Sequence, residues 1–380
     1  MQSTEIVKTA QHQAVLDDAR RAMEICNACR YCEGYCAVFP AMEQRRAFSD
    51  SDLNYLANLC HNCRGCYYSC QYAPPHEFNL NIPKTFQKLR AESYEQYAWP
   101  GPLARLFHRN GLIVCMATAL GVAGVLLLTM LLQTSDILFA AHSGLGAFYA
   151  VIPYELMVGL ASLTFGYAIV ALISGAIKYW RDAGPGAEGS VSWPSLWQAF
   201  QDAATLKHLG GGTGEGCAYP DEAFSNIRRV FHHFMFYGFM LCFAATSVAT
   251  IYDHVFGWVA PYGWFSIPVI LGTVGGIGLL IGPAGLVWLK FKADDASAEK
   301  NLMGMDVAFL ALLFLVSLTG LVLLVIRETP AMGIALAIHL GFVLTLFLVL
   351  PYSKFVHGIY RSAALVRYAI EMKNAKPSGE

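Results

Sequence analysis

Six apolar stretches, each long enough to cross a lipid bilayer, constrain the fold of this chain more than any other feature. Spanning the hydrocarbon core takes about 20 mostly apolar residues. Only 14% of the residues are charged, against roughly 25% in soluble domains, and the first hundred residues are clearly the more polar part. We therefore predict a soluble head joined to a membrane body with six spans, at about 111–132, 153–179, 229–252, 264–289, 303–326 and 331–352.

Basic residues alternate between the connections that join these stretches. Lys290, Lys292 and Lys300 follow the fourth stretch, whereas the connections 133–152 and 253–263 contain no Lys or Arg. Because Lys and Arg concentrate in cytoplasmic loops, this pattern predicts a protein of the bacterial inner membrane with both termini and the head in the cytoplasm. The net charge of −1 gives no basic field, so no nucleic-acid partner is expected.

Two copies of one cysteine motif lie in the head. "CNACRYCEGYC" (26–36) and "CHNCRGCYYSC" (60–70) both have the spacing C-x2-C-x2-C-x3-C, in which three thiolates hold one [4Fe–4S] cluster and the fourth often serves a second cluster. Cytoplasmic thiols stay reduced, which favours metal ligands over disulfides; two tetrahedral zinc sites are the alternative. For two [4Fe–4S] clusters we expect the sets Cys26, Cys29, Cys32, Cys70 and Cys60, Cys63, Cys66, Cys36.

Three cysteines lie outside this rhythm. Cys115 and Cys242 fall within apolar stretches, where free cysteine usually serves packing. Cys217 lies in a glycine-rich connection, and its role stays open between packing and function.

Histidines in the apolar stretches are candidate haem ligands, because ionisable residues inside a membrane are usually functional and histidine is a common axial ligand. His339 lies in the middle of the sixth stretch, and His357 follows five helical turns later. On a continuous helix the two would share one face, about 27 Å apart, although Pro351 lies between them.

The third stretch carries His232 and His233 near one end and His254 at the other. If the third and sixth helices are antiparallel, His232 or His233 is level with His357, and His254 is near His339; His142 is the rival to His254. We therefore predict one or two b-type haems. Histidines that only pack or face the membrane surface are the alternative. The arginines expected near the propionates of the cytoplasmic-side haem are Arg228 and Arg229.

Glycine and aromatic spacings predict two further contacts. "GTVGG" (272–276) and "GLLIG" (278–282) are small-xxx-small spacings that allow close helix packing. The segment 192–220 begins with Trp193 and Pro194 and repeats apolar residues at helical spacing, which predicts a helix lying on the membrane surface.

The sequence resembles the tricarballylate- and citrate-utilisation B proteins over essentially its whole length. The resemblance rests on the paired cysteine motifs and on "CQYAPPHEFNLNIP" (70–83), "LGGGTGEGCAYPDEAFS" (209–225) and "RRVFHHFMFYGFMLCFAATSVATIYDH" (228–254). It implies a partner, an FAD-dependent dehydrogenase that oxidises tricarballylate to cis-aconitate, whose flavin this protein would reoxidise with the quinone pool as electron acceptor. The membrane body also resembles the gamma subunit of respiratory nitrate reductase, in which one haem-binding helix carries histidines spaced as His339 and His357 are.

These observations predict a mainly α-helical protein. A small ferredoxin-like head with two [4Fe–4S] clusters (1–100) precedes a cytochrome-b-like bundle of six membrane helices (101–360) and a cytoplasmic tail (361–380). The predicted function is membrane electron transfer from a flavoprotein through the clusters and haem b to quinone. A membrane subunit resembling heterodisulfide reductase and a redox-regulated transporter are the alternatives. The first would need a spare cysteine pair, and the second would need paired carboxylates within the spans.

Overall fold

The computed structural model describes residues 2–185, 189–212, 214–296 and 298–375, except for the side chains of 2–9 and 108. This part of the chain is mainly α-helical, as predicted. In chain order its helices are α1 (Gln2–Cys29), α2 (Val38–Glu43), α3 (Asp50–Leu59), α4 (Gly65–Tyr68), α5 (Ile82–Tyr97), α6 (Gly101–Leu106), α7 (Asn110–Leu132), α8 (Ser135–Leu138), α9 (Ala147–Val151), α10 (Tyr154–Ala183), α11 (Trp193–Ala204), α12 (Ile227–Phe256), α13 (Ile267–Lys292), α14 (Met303–Ile326), α15 (Met332–Val349) and α16 (Val356–Asn374).

Short 3₁₀ turns and one small sheet complete the described secondary structure. Strands β1 (Cys217–Ala218) and β2 (Phe224–Ser225) pair antiparallel, with Cys217 opposite Ser225. The 3₁₀ turns are Phe107–Arg109, Lys207–Leu209, Lys300–Leu302 and Leu350–Tyr352.

Six helices are long and apolar enough to cross a membrane, which confirms the predicted number of spans. They are α7, α10, α12, α13, α14 with the 3₁₀ turn before it, and α15 with the 3₁₀ turn after it. Large apolar side chains such as Leu131 and Leu163 point outward and are more than two-thirds exposed. Exposed apolar surface of this extent is rare on soluble monomers, so the chain is built as a multi-pass membrane protein.

Helices α12 and α13 pack unusually closely because glycines face each other at their contact. A Cβ atom on Gly238 would lie 2.8 Å from the Gly275 carbonyl oxygen, and one on Gly282 would lie 2.4 Å from the Met235 nitrogen. Only glycine allows backbones to approach this far. The predicted close helix contact at the "GTVGG" and "GLLIG" spacings is therefore confirmed.

Helices α1 to α5 form the head. Helix α3 begins at Asp50 because the Ser49 and Asp52 side chains form a capping box, and α5 begins after Asn81, whose side chain accepts a hydrogen bond from the Lys84 backbone. Buried side chains of α1, α3 and α5, among them Met23 and Phe86, form one core between these helices. The head is thus a compact helical unit that fixes the loops carrying the cysteines.

The last helix lies beside the head instead of continuing the sixth span. Helix α15 ends at Val349, the 3₁₀ turn contains Pro351, and α16 starts anew at Val356. The condition for His339 and His357 to share one face, a continuous helix, is not met, because proline disrupts helix hydrogen bonding at Pro351. Residues 361–374, predicted to belong to a tail, are helical; the predicted tail residues 376–380 lie outside the described part of the chain.

Charged side chains hold α16 against the head. Glu371 accepts hydrogen bonds from Arg45 and from the Tyr55 hydroxyl, while Arg367 donates to Asp52 at 2.8 Å. The guanidinium carbons of both arginines lie within 5 Å of the Tyr55 ring centroid. These groups are at most about one-fifth exposed, so water screens the contact only partly.

Helix α11 confirms the helix predicted in 192–220. Its apolar side chains Trp193, Trp197 and Phe200 are about half to three-quarters exposed, whereas Ala199 and Asp202 are buried beneath it. This arrangement leaves an aromatic face outward, as expected of a helix that lies on a membrane surface.

Candidate redox centre

Four thiols from both motifs meet at the end of the head farther from the membrane helices; we call them the outer quartet. Helix α1 ends at Cys29, and Arg30 follows in the left-handed region (φ 55°), so the chain reverses and returns the next cysteine to the same place. Tyr72 and Ile82 line the cavity between the thiols. The outer quartet consists of Cys26, Cys29, Cys32 and Cys70. Cys66 also borders this cavity, but the thiols that act on it most are Cys63, Cys36 and Cys60.

The remaining four thiols form the inner quartet, beside the membrane helices. The loop after α3 wraps them with two left-handed residues, Asn62 (φ 54°) and Arg64 (φ 65°). The left-handed backbone conformation is unfavourable for residues other than glycine and is typical of functional loops. Val38 and Pro83 line the cavity between these thiols. The inner quartet consists of Cys36, Cys60, Cys63 and Cys66.

Burial and mutual proximity make free thiolates unfavourable in both quartets. Burial, and then the neighbouring thiols of the same quartet, raise the pKa of Cys26 and of Cys32 to about 12. Burial also raises the pKa of Cys63 to about 12, with Cys217 and Cys60 as the next contributors. The thiolate, which is the form that binds metal, therefore needs positive charge between the thiols. Iron would supply this charge.

The grouping follows the exchange of fourth cysteines between the two motifs, since Cys70 lies with the first motif and Cys36 with the second. Within the described residues, no three His, Cys, Asp or Glu side chains converge closely enough to hold a single metal ion. The crossed grouping of the two motifs is the one expected for two [4Fe–4S] clusters.

Two histidine rings meet edge to face where the head contacts the membrane helices. We call His232 of α12 and His357 of α16 the histidine pair. Their ring centroids are 6.2 Å apart and their planes are inclined by 79°. An imidazole nitrogen lies about 2 Å from a transition metal that it ligates, so two rings on opposite sides of one metal have centroids about 6 Å apart. The pair therefore has the separation of two axial ligands.

The hydrogen bonds of the pair leave nitrogens free for a ligand. His357 donates from Nδ1 to the Lys354 carbonyl oxygen, and Nδ1 of His232 is buried without a partner among the described residues. In metal sites, a hydrogen bond from one ring nitrogen to a backbone carbonyl commonly fixes the orientation of the ligating histidine. Burial, followed by the charge of Arg361, lowers the pKa of His357 well below its usual value, so this ring is neutral, as a ligand must be.

The histidine pair lines a charged cavity between the head and helices α12 to α14, with a free volume of about 150 Å³. Seven lysine and arginine side chains line it against three carboxylates. Several of the arginines bind backbone carbonyls instead of carboxylates: Arg90 and Arg361 both donate to the Cys60 carbonyl oxygen, at 2.6 and 2.8 Å. Unneutralised buried cations favour an anionic ligand.

Arg228 connects α12 to the inner quartet. It donates to the Asn62 carbonyl oxygen at 2.7 Å and stacks over the Tyr219 ring, and it lines the charged cavity. Arg229 does not line this cavity; it donates to the Thr205 carbonyl oxygen instead.

His233 points away from the histidine pair, toward the Tyr237 ring. His254 is exposed, close to the Tyr154 hydroxyl at 3.3 Å. His339 is enclosed by the helix bundle and contacts the Thr319 hydroxyl at 3.1 Å. It lines a second cavity in the bundle, and no second histidine lies among the described residues that line this cavity.

The glycine-rich connection after α11 covers the head between the quartets. A Cβ atom on Gly212 would overlap the Gly34 carbonyl oxygen, and the Phe224 ring packs on Gly65 within the second cysteine motif. Cys217 is fully buried near Cys63, with its thiol donating to the Leu209 carbonyl oxygen. Packing, the simpler of the two roles left open for Cys217, agrees with this environment.

Sequence patterns did not predict several residues of the charged cavity. Lys290 and Lys354 both pair with Asp306. One signal was present, because Asp306 is an acidic residue inside an apolar stretch and such residues are functional candidates. Arg90 and Arg361 carried no comparable signal.

Comparison with known families agrees with this architecture. Residues 105–378 match the family model Citrate utilization protein B, and residues 19–96, with both cysteine motifs, match the model Citrate utilization protein B Fer4-like domain. The chain belongs to the Citrate utilization protein B family. A member of this family, Citrate utilization protein B of Escherichia coli, is 49% identical over 363 residues, covering 95% of this chain and 94% of the relative. No solved structure matches the chain.

Proposed function

We propose that this protein carries electrons from a flavoprotein dehydrogenase to membrane quinone. The donor would be an FAD-dependent enzyme of citrate or tricarballylate utilisation, as the family name and the resemblance suggest. The head would face the cytoplasm, in line with the distribution of Lys and Arg. The observation that carries the proposal is the series arrangement of outer quartet, inner quartet and histidine pair.

The cysteine quartets fit two [4Fe–4S] clusters, which transfer single electrons when bound. The chain places the outer quartet nearer the surface of the head, where a partner can approach. The inner quartet is connected through Asn62 and Arg228 to the helix that carries His232. The protein thereby fixes two electron carriers between the partner and the membrane body.

The histidine pair fits the axial ligation of one b-type haem. The cationic surroundings, including Arg228, suit its propionates. The free volume of about 150 Å³ is that of a cavity for a benzene-sized ligand. Haem binding therefore requires the cavity walls to move apart, with flexible lining side chains such as Met235 and Met303 displaced. A second haem between His254 and His339 stays a prediction; the exposure of His254 does not support it.

The test is a reduced-minus-oxidised optical spectrum of the anaerobically purified protein, with iron, sulfide and haem quantified on the same sample. We expect two clusters and a low-spin b-type haem that is reduced through the clusters and reoxidised by a quinone analogue. Clusters without haem would refute the role of the histidine pair.

His232→Leu removes one axial ligand and should abolish the low-spin haem spectrum while the clusters remain. The neighbouring variant His233→Leu is the matched control, because this ring packs on Tyr237 outside the charged cavity. Equal haem loss in both variants would contradict the assignment.

A further inference from the structure

The largest cavity among those described lies inside the membrane bundle, around His339. Its free volume is about 780 Å³, within the range of cavities that hold small-molecule ligands. Walls from α10, α12, α13, α14 and α15 enclose it, and half-exposed Phe243 and Ile251 at its rim indicate access from the lipid. We call it the neutral cavity.

The neutral cavity carries no charge that could meet a charged ligand. None of the described residues that line it is Lys, Arg, Asp or Glu. Haem carries two propionates, which need cationic or aqueous partners when buried. The charged cavity offers such partners, and the neutral cavity does not. Its occupant is therefore neutral and largely apolar.

Two of the polar side chains that line this apolar space, Ser317 and His339, can meet a ligand. The Ser317 hydroxyl is buried without a partner among the described residues. His339 is held by Thr319, whose own hydroxyl donates to the Leu315 carbonyl oxygen. The Thr319 oxygen therefore accepts from Nδ1–H of His339, which leaves Nε2 as a free acceptor.

A hydroxyl donor and an imidazole acceptor suit a ligand that exists as a carbonyl in one redox state and as a hydroxyl in the other. Ser317 can donate to a quinone oxygen, and His339 can accept from a quinol hydroxyl. The apolar walls accommodate a polyprenyl chain that reaches the lipid. A plain lipid chain would leave the Ser317 hydroxyl unsatisfied, which costs free energy.

The neutral cavity also lies close to the histidine pair. Met235 lines the charged cavity and Phe239 the neutral cavity, one helical turn or about 6 Å further along α12. In α14, likewise, Leu310 lines the charged cavity and Leu313 lines the neutral cavity. A wall of about one turn therefore separates them.

We propose that the neutral cavity is the binding site of an isoprenoid quinone, with its ring oxygens at Ser317 and His339. This inference rests on the electron-transfer function proposed above and assigns its acceptor a place. Reduction of the bound quinone consumes two electrons from the relay and two protons from water, and it yields the quinol.

The experiment measures binding of decylubiquinone to the oxidised full-length protein in detergent by isothermal titration calorimetry, which needs no electron transfer. Ser317→Ala removes the donor to a quinone carbonyl, so it should weaken the binding of decylubiquinone about tenfold. His339→Leu removes the acceptor for a quinol hydroxyl, so it should weaken the binding of decylubiquinol to the reduced protein about tenfold and leave the affinity for decylubiquinone nearly unchanged. Gly272→Leu should weaken binding by placing a leucine side chain inside the cavity, where there is room for it, since a Cβ there meets only Ala245 at 3.7 Å.

Thr273→Val is the matched control, because Thr273 lines the same cavity but its hydroxyl donates to Val269 of its own helix. It should leave the affinity unchanged. Absence of saturable binding, or affinities unaffected by all of these variants, would overturn the proposed site. Loss of a haem in His339→Leu would also overturn it, because the cavity would then hold haem.

The site and the function can fail separately. If quinone reoxidises the reduced protein equally fast in wild type, Ser317→Ala and Gly272→Leu, the electron-transfer function stands and this site is wrong. If decylubiquinone binds as expected but the reduced clusters never reduce it, the site stands and the proposed function fails.

Discussion

The two cysteine motifs have identical spacing, but the two quartets that they form lie in different surroundings. The outer quartet has Arg30 nearby, an exposed side chain that donates to the Asn27 carbonyl. The inner quartet has buried Arg64 in its cavity wall, and Arg90 and Arg361 on the backbone of Cys60. Identical spacing therefore sets which ligands are available, whereas the tertiary environment sets their electrostatics.

The difference in surroundings predicts which cluster has the higher reduction potential. Each added electron makes a thiolate-bound cluster more negative, so buried cations favour the reduced form and raise the reduction potential. A cluster in the inner quartet should therefore have the higher potential, and electrons should move inward from the surface of the head.

The largest expected effect comes from breaking one quartet at a time. Cys70→Ser should remove the same cluster signal in electron paramagnetic resonance as Cys26→Ser, and Cys66→Ser should remove the other. Cluster iron should fall by about half in each case. Cys115→Ser, at an exposed position outside both motifs, is the control, and loss of one shared signal in Cys70→Ser and Cys66→Ser would refute the crossed grouping.

A second substitution weakens the contact between α16 and the head. Glu371→Gln removes one of the two carboxylates that Arg45 and Arg367 share and leaves Asp52 as the partner of both. Losing a hydrogen bond between charged groups costs about 1.5–3 kcal/mol. We expect lower thermal stability and faster proteolysis between the head and α16, with the inner cluster spectrum altered more than the outer one.

Asp50→Asn is the matched control for this change. It removes another arginine–carboxylate pair of the head, with Arg20, but the Asp50 side chain is 57% exposed. Exposed pairs contribute about 0–1 kcal/mol. Equal destabilisation by both variants would mean that α16 is not held by the Glu371 contacts.

The smallest expected effect sharpens the electrostatic difference. Arg361→Gln removes a charged donor from the Cys60 carbonyl and should lower the potential of the inner cluster by on the order of 50 mV. Redox titration followed by electron paramagnetic resonance measures both clusters in one sample. Arg30→Gln should shift the outer cluster much less, and a larger shift there would reverse the proposed order of potentials.

The sequence predicted most accurately what depends on local pattern. The six spans follow from apolar length, and the two quartets follow from a spacing that also specifies the exchanged cysteines. The choice between His232 and His233 could not be made from the sequence, because adjacent residues on a helix differ by only about 100° and packing selects the inward one.

Features that depend on packing between distant segments were missed. Our phase argument from His339 to His357 failed at Pro351, where the helix ends. Arg361 reaches Cys60 across some 300 residues of chain, a distance over which no sequence period operates. The neutral cavity likewise arises from five helices, each of which is merely apolar when taken alone.

The break after α15 has a consequence for biogenesis. Arg45 and Asp52 of the head pair with each other, yet they obtain their further partners, Glu371 and Arg367, only after α16 has left the ribosome. Because α16 follows all six spans in the chain, it can dock on the head only after they have been made. Until then Arg361 is absent from the inner quartet, so the loop of this quartet is uncovered on that side during translation.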